Sequence, residues 1–305
     1  TVAQDMSWVS TAGTVSTSDM TLNNASTLTI SRDLTMNYSG GMKINHIINN
    51  SGILTVGRDI TFTSTAAGFE ELKLNNTAIL NIARNFSRGA TPYGILTCNG
   101  SSTVVFNGSS YVQTFPAIAG SGGDGLTFNN VTINNTNAGA PQIVMGGAAS
   151  INGTLTLTNG RVQTTSANGI TLNNGASTSI GSASSYIDGP MVYTVAALGS
   201  TTINFPVGKS TKWRPVTLTV NHSDASSVSY TAEVINSSAQ ALGYTLPGTV
   251  DKVSLARYWQ IDRQSVANFN NATVRLYYDS DDGVTDFNNL TVVKTIGSGT
   301  AWNDI

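Results

Sequence analysis

The densest group of oxygen-bearing side chains in this 305-residue sequence is Asp279-Ser280-Asp281-Asp282-Gly283-Val284-Thr285-Asp286. Carboxylates gathered round a glycine are what a hard cation such as Ca²⁺ takes as ligands. Asp279, Asp281, Asp282 and Asp286 are therefore the candidate metal ligands. Ca²⁺ is the one candidate cofactor, and none is required. The spacing departs from the EF-hand loop, because the glycine comes one position early and no glutamate closes the site. A solvated hairpin loop is the competing reading.

A second pair of carboxylates, Asp33 and Asp59, lies 26 positions apart. If 26 residues make one coil of a stacked structure, the two carboxyls sit about 5 Å apart. That distance suits a retaining glycosidase. Asn85 occupies the third equivalent place, however, and Arg32, Arg58 and Arg84 run alongside. A charge ladder that stabilises turns explains the pattern with less machinery. Glu70-Glu71 reads as a solvated corner, and His46 as a corner residue beside an Asn pair. Cys98 is the single cysteine, so no intrachain disulfide or thiolate cluster exists; it reads as a small buried apolar side chain. No Gly-x-Ser-x-Gly elbow occurs between a strand and a helix. Gly120-Ser121-Gly122-Gly123-Asp124-Gly125 lacks the lysine and following helix of a phosphate loop, and reads as an ordinary loop.

The elements that must position these residues follow from a repeat. Leu22-Asn23-Asn24, Ile48-Asn49-Asn50 and Leu74-Asn75-Asn76 recur every 26 residues, and each is followed eight positions after its second Asn by Arg32, Arg58 or Arg84. A fixed period of this size marks stacked units that cannot bury their apolar faces alone. Within each unit apolar residues alternate (Leu28/Ile30, Leu54/Val56, Leu80/Ile82), which is the period of a strand. Asn24, Asn50 and Asn76 are expected to form an asparagine ladder at one corner, where Asn tolerates the left-handed conformation. Later segments such as Val104–Gly108 and Leu155–Gly160 keep the vocabulary but vary in length. About seven coils fit before residue 186.

Composition changes near Ser185. The 120 residues from 186 onward carry 13 of the 23 aromatics. Seven alternating runs follow, at Met191–Val195, Thr201–Phe205, Trp213–Val220, Val228–Ile235, Val253–Ile261, Thr273–Tyr278 and Leu290–Thr295. Short strands separated by Gly, Pro, Asn and Asp read as an antiparallel sandwich, with Trp213, Tyr258 and Trp259 in its core. The expected fold is all-β: a right-handed parallel β-helix with 26-residue coils over 1–185, then an immunoglobulin-like β-sandwich over 186–305.

Only 10% of residues are charged and the net charge is -2, which excludes a basic nucleic-acid face. No apolar run reaches the length of a membrane span. No signal peptide opens the chain, so residue 1 reads as the start of a mature or trimmed chain. Scarce Lys, Glu and Cys with abundant Asn and Thr suit an exported bacterial protein.

Several segments resemble a known family. Gly189-Pro190, Phe205-Pro206-Val207-Gly208, Trp213-Arg214-Pro215, Arg257-Tyr258-Trp259 and Val274-Arg275-Leu276-Tyr277-Tyr278 look like a module of large surface proteins secreted by the type IX route in gliding and related bacteria. Thr127 to Asn135 resembles the solenoid stretches that precede that module. The resemblance implies an adhesin-like segment of a long extracellular or cell-surface protein, handled by the secretion machinery during export. A sorting domain normally ends such proteins and none follows Ile305, which implies an internal segment or a missing end. The expected function is a non-catalytic structural or adhesive segment, with surface glycans or other cell-surface proteins as partners. The alternatives are a carbohydrate-binding module and a β-helical polysaccharide lyase or hydrolase. A sugar platform needs exposed aromatics; Trp8 and Trp302, near the chain ends, are the expected exposed pair. Thr27/Thr29 and Thr154/Thr156 are too irregular across coils to press an ice-binding role.

Overall fold

The computed structural model describes residues 1–10, 20–39, 44–264, 268–284, 286, 288–295 and 299–305. It is nearly all β, with 48% strand and 2% helix, and is built round a parallel β-solenoid of about six turns. One face stacks seven strands: Thr27–Ile30, Ile53–Val56, Ile79–Ile82, Thr103–Phe106, Asn130–Asn134, Thr154–Asn159 and Ser177–Thr178. Six turns thus separate the seven rungs.

Alternation decides which way each residue points. Leu28, Leu54, Leu80, Val104, Val131 and Leu155 stand in register, and Ile30, Val56, Ile82, Phe106 and Ile133 form the next column. All of these but Leu28 are fully buried. Between the columns, Thr29, Thr55, Asn81, Val105 and Thr132 point outward. Partners in the first column lie 26, 26, 24, 27 and 24 residues apart. The strict period therefore ends after the third coil, and later turns absorb the change in corners and loops.

The other two faces are each made of two sheets. Met6–Ser10, Leu34–Tyr38, Ile60–Phe62 and Phe86–Arg88 form one sheet, and Gln113–Phe115 starts another. Across the break the Asn85 side chain still accepts from the Thr114 N–H at 2.8 Å. Met20–Leu22, Ile44–Ile48, Glu70–Leu74, Ile95–Cys98 and Leu126–Thr127 form the third face. There Leu22, Ile48, Leu74 and Cys98 share one inward column. Cys98 is buried as an apolar residue would be, and burial pushes its thiol up to about 12 against opposing hydrogen bonds from Asn129 and Ser102.

Parallel pairing carries across residue 185. Ile170–Leu172 pairs in parallel with Met191–Val195, and Ile187–Asp188 with Val207–Lys209. Residue 185 marks a change in composition within a continuous stack. Met191–Val195 then pairs antiparallel with Val228–Ile235, which pairs with Tyr258–Arg263. A second antiparallel sheet contains Gly199–Phe205, Val216–His222 and Phe269–Leu276. Contacts between the two sheets include Tyr193 against Phe205 and a 2.7 Å hydrogen bond between His222 Nε2 and the Tyr230 hydroxyl.

Three expected strands differ. Trp213–Val220 is split at Pro215, which has no N–H to give a ladder; Lys212–Trp213 pairs with Val207–Lys209 and Val216–His222 belongs to the sandwich. The Val253–Ile261 run pairs only from Tyr258, and the last run shrinks to Val293–Lys294 against Asn303–Asp304. Trp213, Tyr258 and Trp259 are half-buried; Trp259 packs against the core, which is filled by Tyr193, Phe205, Tyr230 and the aliphatic residues beside them.

Candidate functional site

The arginine and aspartate repeat forms a stair along one edge of the solenoid. The backbone N–H of Asp33 donates to Asp5 Oδ1 at 3.1 Å, that of Asp59 to Asp33 Oδ1 at 3.1 Å, and that of Asn85 to Asp59 Oδ1 at 2.9 Å. Each carboxylate thus caps the next coil. The arginines pair downward: Arg32 Nε lies 3.2 Å from Asp5, Arg58 Nε 3.5 Å from Asp33, and Arg84 Nη1 3.4 Å from Asp59. Asp33 and Asp59 are each turned along the stack, with one oxygen on the next coil's backbone and an arginine beside it. That arrangement stabilises turns and leaves neither carboxyl as the free partner that a hydrolase pair requires.

At the asparagine corner both residues of each pair contribute. Asn24, Asn50 and Asn76 take left-handed conformations, with φ of 51°, 47° and 56°. The side-chain ladder runs mainly through their neighbours. Asn49 donates to Asn23 at 2.9 Å, Asn75 to Asn49 at 2.7 Å and Asn99 to Asn75 at 2.9 Å. Among the second asparagines, Asn76 donates to Asn50 at 2.5 Å. The repeat itself held the signal for the first column, since both asparagines recur with the period.

The aspartates expected to hold calcium meet cations of the protein. Asp282, buried, lies 2.6 Å from Arg214 Nε and 2.7 Å from Arg257 Nη1. Asp281 meets Arg257 Nη2 and Lys212 Nζ, both at 2.9 Å, and also Arg214 Nη2. Partial burial by itself raises the Asp281 carboxyl, but hydrogen bonds from Lys212 and Arg257 and the charges of both arginines bring it down to about 2. Asp279 caps the short turn Ser280–Asp282 by accepting from the Ser280 N–H at 2.7 Å. Asp286 accepts from the Asn288 N–H at 2.9 Å and Asn289 Nδ2 at 2.6 Å. Thr285 lies outside the described residues. Among the described residues no group of three or more His, Cys, Asp or Glu side chains is arranged to hold a metal. The expected calcium loop is replaced by an ion-pair cluster, because Arg214 and Arg257 come from elements distant in sequence and supply the positive charge.

Two further expectations are corrected inside the solenoid. Glu70 and Glu71 are buried on the strand Glu70–Leu74 instead of lying at a solvated corner. Burial pushes the Glu70 carboxyl up to about 8; a hydrogen bond from the Ser64 backbone opposes this and the Asp124 charge adds to it. Asp124, in the glycine-rich loop, accepts from the Gly68 N–H at 2.7 Å and the Gly94 N–H at 2.8 Å. His46 is buried on its strand, stacked on Trp8 with ring centroids 3.9 Å apart. Trp8 and Trp302 are both half-buried, Trp302 against Tyr244, so the expected exposed pair is absent. An exposed aromatic that spacing did not single out is Tyr111, 52% accessible and lying over the Arg84 guanidinium at 4.4 Å.

Among the described residues no helix is long and apolar enough to cross a membrane. Comparison with protein-family models, with curated proteins and with solved structures found no match.

Proposed function

We propose that the chain is a non-catalytic structural and adhesive segment of a large exported cell-surface protein. The observation that carries this reading is the continuity of the stack. Asn and Arg–Asp ladders brace the early coils, and parallel pairing then runs without a gap into the sandwich. Such a solenoid gains its stability from nearest-neighbour stacking. It transmits load along its axis through parallel strands held by many hydrogen bonds. A surface with few charges, whose carboxylates are engaged by arginines and backbone N–H groups, suits a spacer more than a reaction centre.

Antibody labelling of intact and permeabilised native cells tests export. Labelling of intact cells supports the reading, and labelling only after permeabilisation refutes it. Incubation with polysaccharides tests the absence of catalysis: new reducing ends or unsaturated products refute it.

A further inference from the structure

We infer that the cleft at the upper end of the arginine stair binds an acidic saccharide, with Arg58 and Arg84 holding its carboxylate or sulfate and Tyr111 supporting its ring. The inference rests on the adhesive part of the proposed function and names the class of partner.

The cleft has a volume of about 470 Å³ and is lined by Gly57, Arg58, Ala83, Arg84, Ser109, Ser110 and Tyr111. Its size is in the range of small-molecule sites. Gly57 and Ala83 line it beside the two arginines, while the loop before Gln113–Phe115 brings Ser109, Ser110 and Tyr111 against them.

A guanidinium has five N–H donors. Arg58 and Arg84 sit at 3.5 and 3.4 Å from their aspartates, beyond the usual length of a charge-assisted hydrogen bond. Among the described residues neither side chain makes a protein hydrogen bond of ordinary geometry, and Arg84 Nε is buried with no acceptor. The sandwich cluster is the internal contrast, because there Arg214 Nε and Arg257 Nη2 close on carboxylates at 2.6 and 2.9 Å. The stair arginines are thus neutralised in charge but unspent as donors.

The cleft asks for a ligand rich in acceptors, since no carboxylate is among its lining residues and its two serine hydroxyls can donate as well. Bidentate capture of a carboxylate or sulfate is what planar guanidinium does best. The Arg84 guanidinium lies over the Tyr111 ring, and half the tyrosine surface remains open to a ring-shaped ligand. Arg32, Arg58 and Arg84 also repeat once per coil, about 4.8 Å apart. A polymer with one acid group per ring meets successive arginines on that spacing. The chemistry common to a uronate and a sulfated sugar fits; a neutral sugar leaves the guanidinium donors without an anionic acceptor.

The test is calorimetric titration of the full chain with four hexamers: a galacturonate, a sulfated saccharide, a neutral glucan and oligoglutamate. We expect at least one acidic saccharide to bind, at least tenfold tighter than the glucan or the peptide, and more weakly as salt rises. Which one binds separates the carboxylate from the sulfate source. Tyr111→Ala and Arg58→Gln, both on partly exposed side chains, should each weaken binding tenfold or more, with melting temperatures checking the fold. Arg161→Gln, paired with Asp188 elsewhere, should leave it unchanged. The inference is overturned if neither acidic saccharide binds at millimolar concentration, if the glucan or oligoglutamate binds equally, or if both cleft variants bind like wild type. Such a result removes the cleft as a ligand site, whereas cell-surface labelling reports separately on the exported-segment reading.

Discussion

Replacing Arg214 by methionine removes one charge from the sandwich cluster while keeping the length of the side chain. Arg214 donates Nε to Asp282 at 2.6 Å and Nη1 to the Trp213 carbonyl at 2.8 Å, and also reaches Asp281. Its side chain is 8% exposed and that of Asp282 only 4%. The variant leaves the Asp282 carboxylate buried with Arg257 as its remaining cation. Breaking one partner of a buried pair costs about 3–5 kcal/mol, because the desolvation of the orphaned charge is no longer offset. The control is Arg58→Met. That pair is 3.5 Å apart with side chains 38% and 30% exposed, and an exposed pair contributes about 0–1 kcal/mol. Urea unfolding followed by tryptophan fluorescence reads the difference. Trp213 Nε1 donates to the Ile180 carbonyl and Trp259 Nε1 to the Arg214 carbonyl, so both rings report on this region. A loss below about 1 kcal/mol, or one equal to the control, refutes the assignment. Repeating the wild-type curve with millimolar Ca²⁺ and with excess chelator should give superimposable transitions. Stabilisation by Ca²⁺ would show a cation bound to the native state and refute the view that arginines occupy that role.

Other outcomes follow from single positions. Glu70 is raised to about 8 when folded. Its contribution is fully present below the ordinary carboxylate range and is lost as pH climbs towards 8, so wild-type stability should fall between about pH 5 and 8 and Glu70→Gln should flatten that slope in urea melts. Leu80→Ala opens a cavity in a fully buried column and should cost about 2–5 kcal/mol in the same assay. Asn76 has φ of 56°. Asn76→Val should therefore lose about 1–2 kcal/mol relative to Asn76→Gly, because a side chain branched at Cβ resists that conformation.

The two levels of information divide along a physical line. The parallel solenoid, the inward columns of Leu28, Leu54 and Leu80, the left-handed asparagine corner and the arginine stair were all legible in the sequence. Each depends on periodicity, which fixes neighbours one coil apart without knowledge of anything else. The antiparallel sandwich was legible as alternating runs, but their edges were not. Pro215, which has no N–H to give, and Arg257, whose N–H donates to Ser254 Oγ at 3.1 Å, mark where pairing breaks although hydrophobic alternation alone suggested that it continued.

The candidate sites were less legible, because their partners are not periodic. The carboxylates of Asp279 to Asp282 looked like cation ligands in isolation. Only the folded chain brings Arg214, from 67 residues away, onto Asp281. Glu70 and His46 carry polar side chains that composition assigns to a surface, and alternation on the third face turned both inward. Tyr111 carried no repeat signal, yet the tertiary structure laid it over Arg84. The sequence by itself determined the architecture, since a repeat encodes local conformation and nearest-neighbour packing together. Tertiary structure alone decided which side chains close on a partner and which keep their donors unengaged, because that depends on distances between groups that the chain does not keep at any fixed spacing.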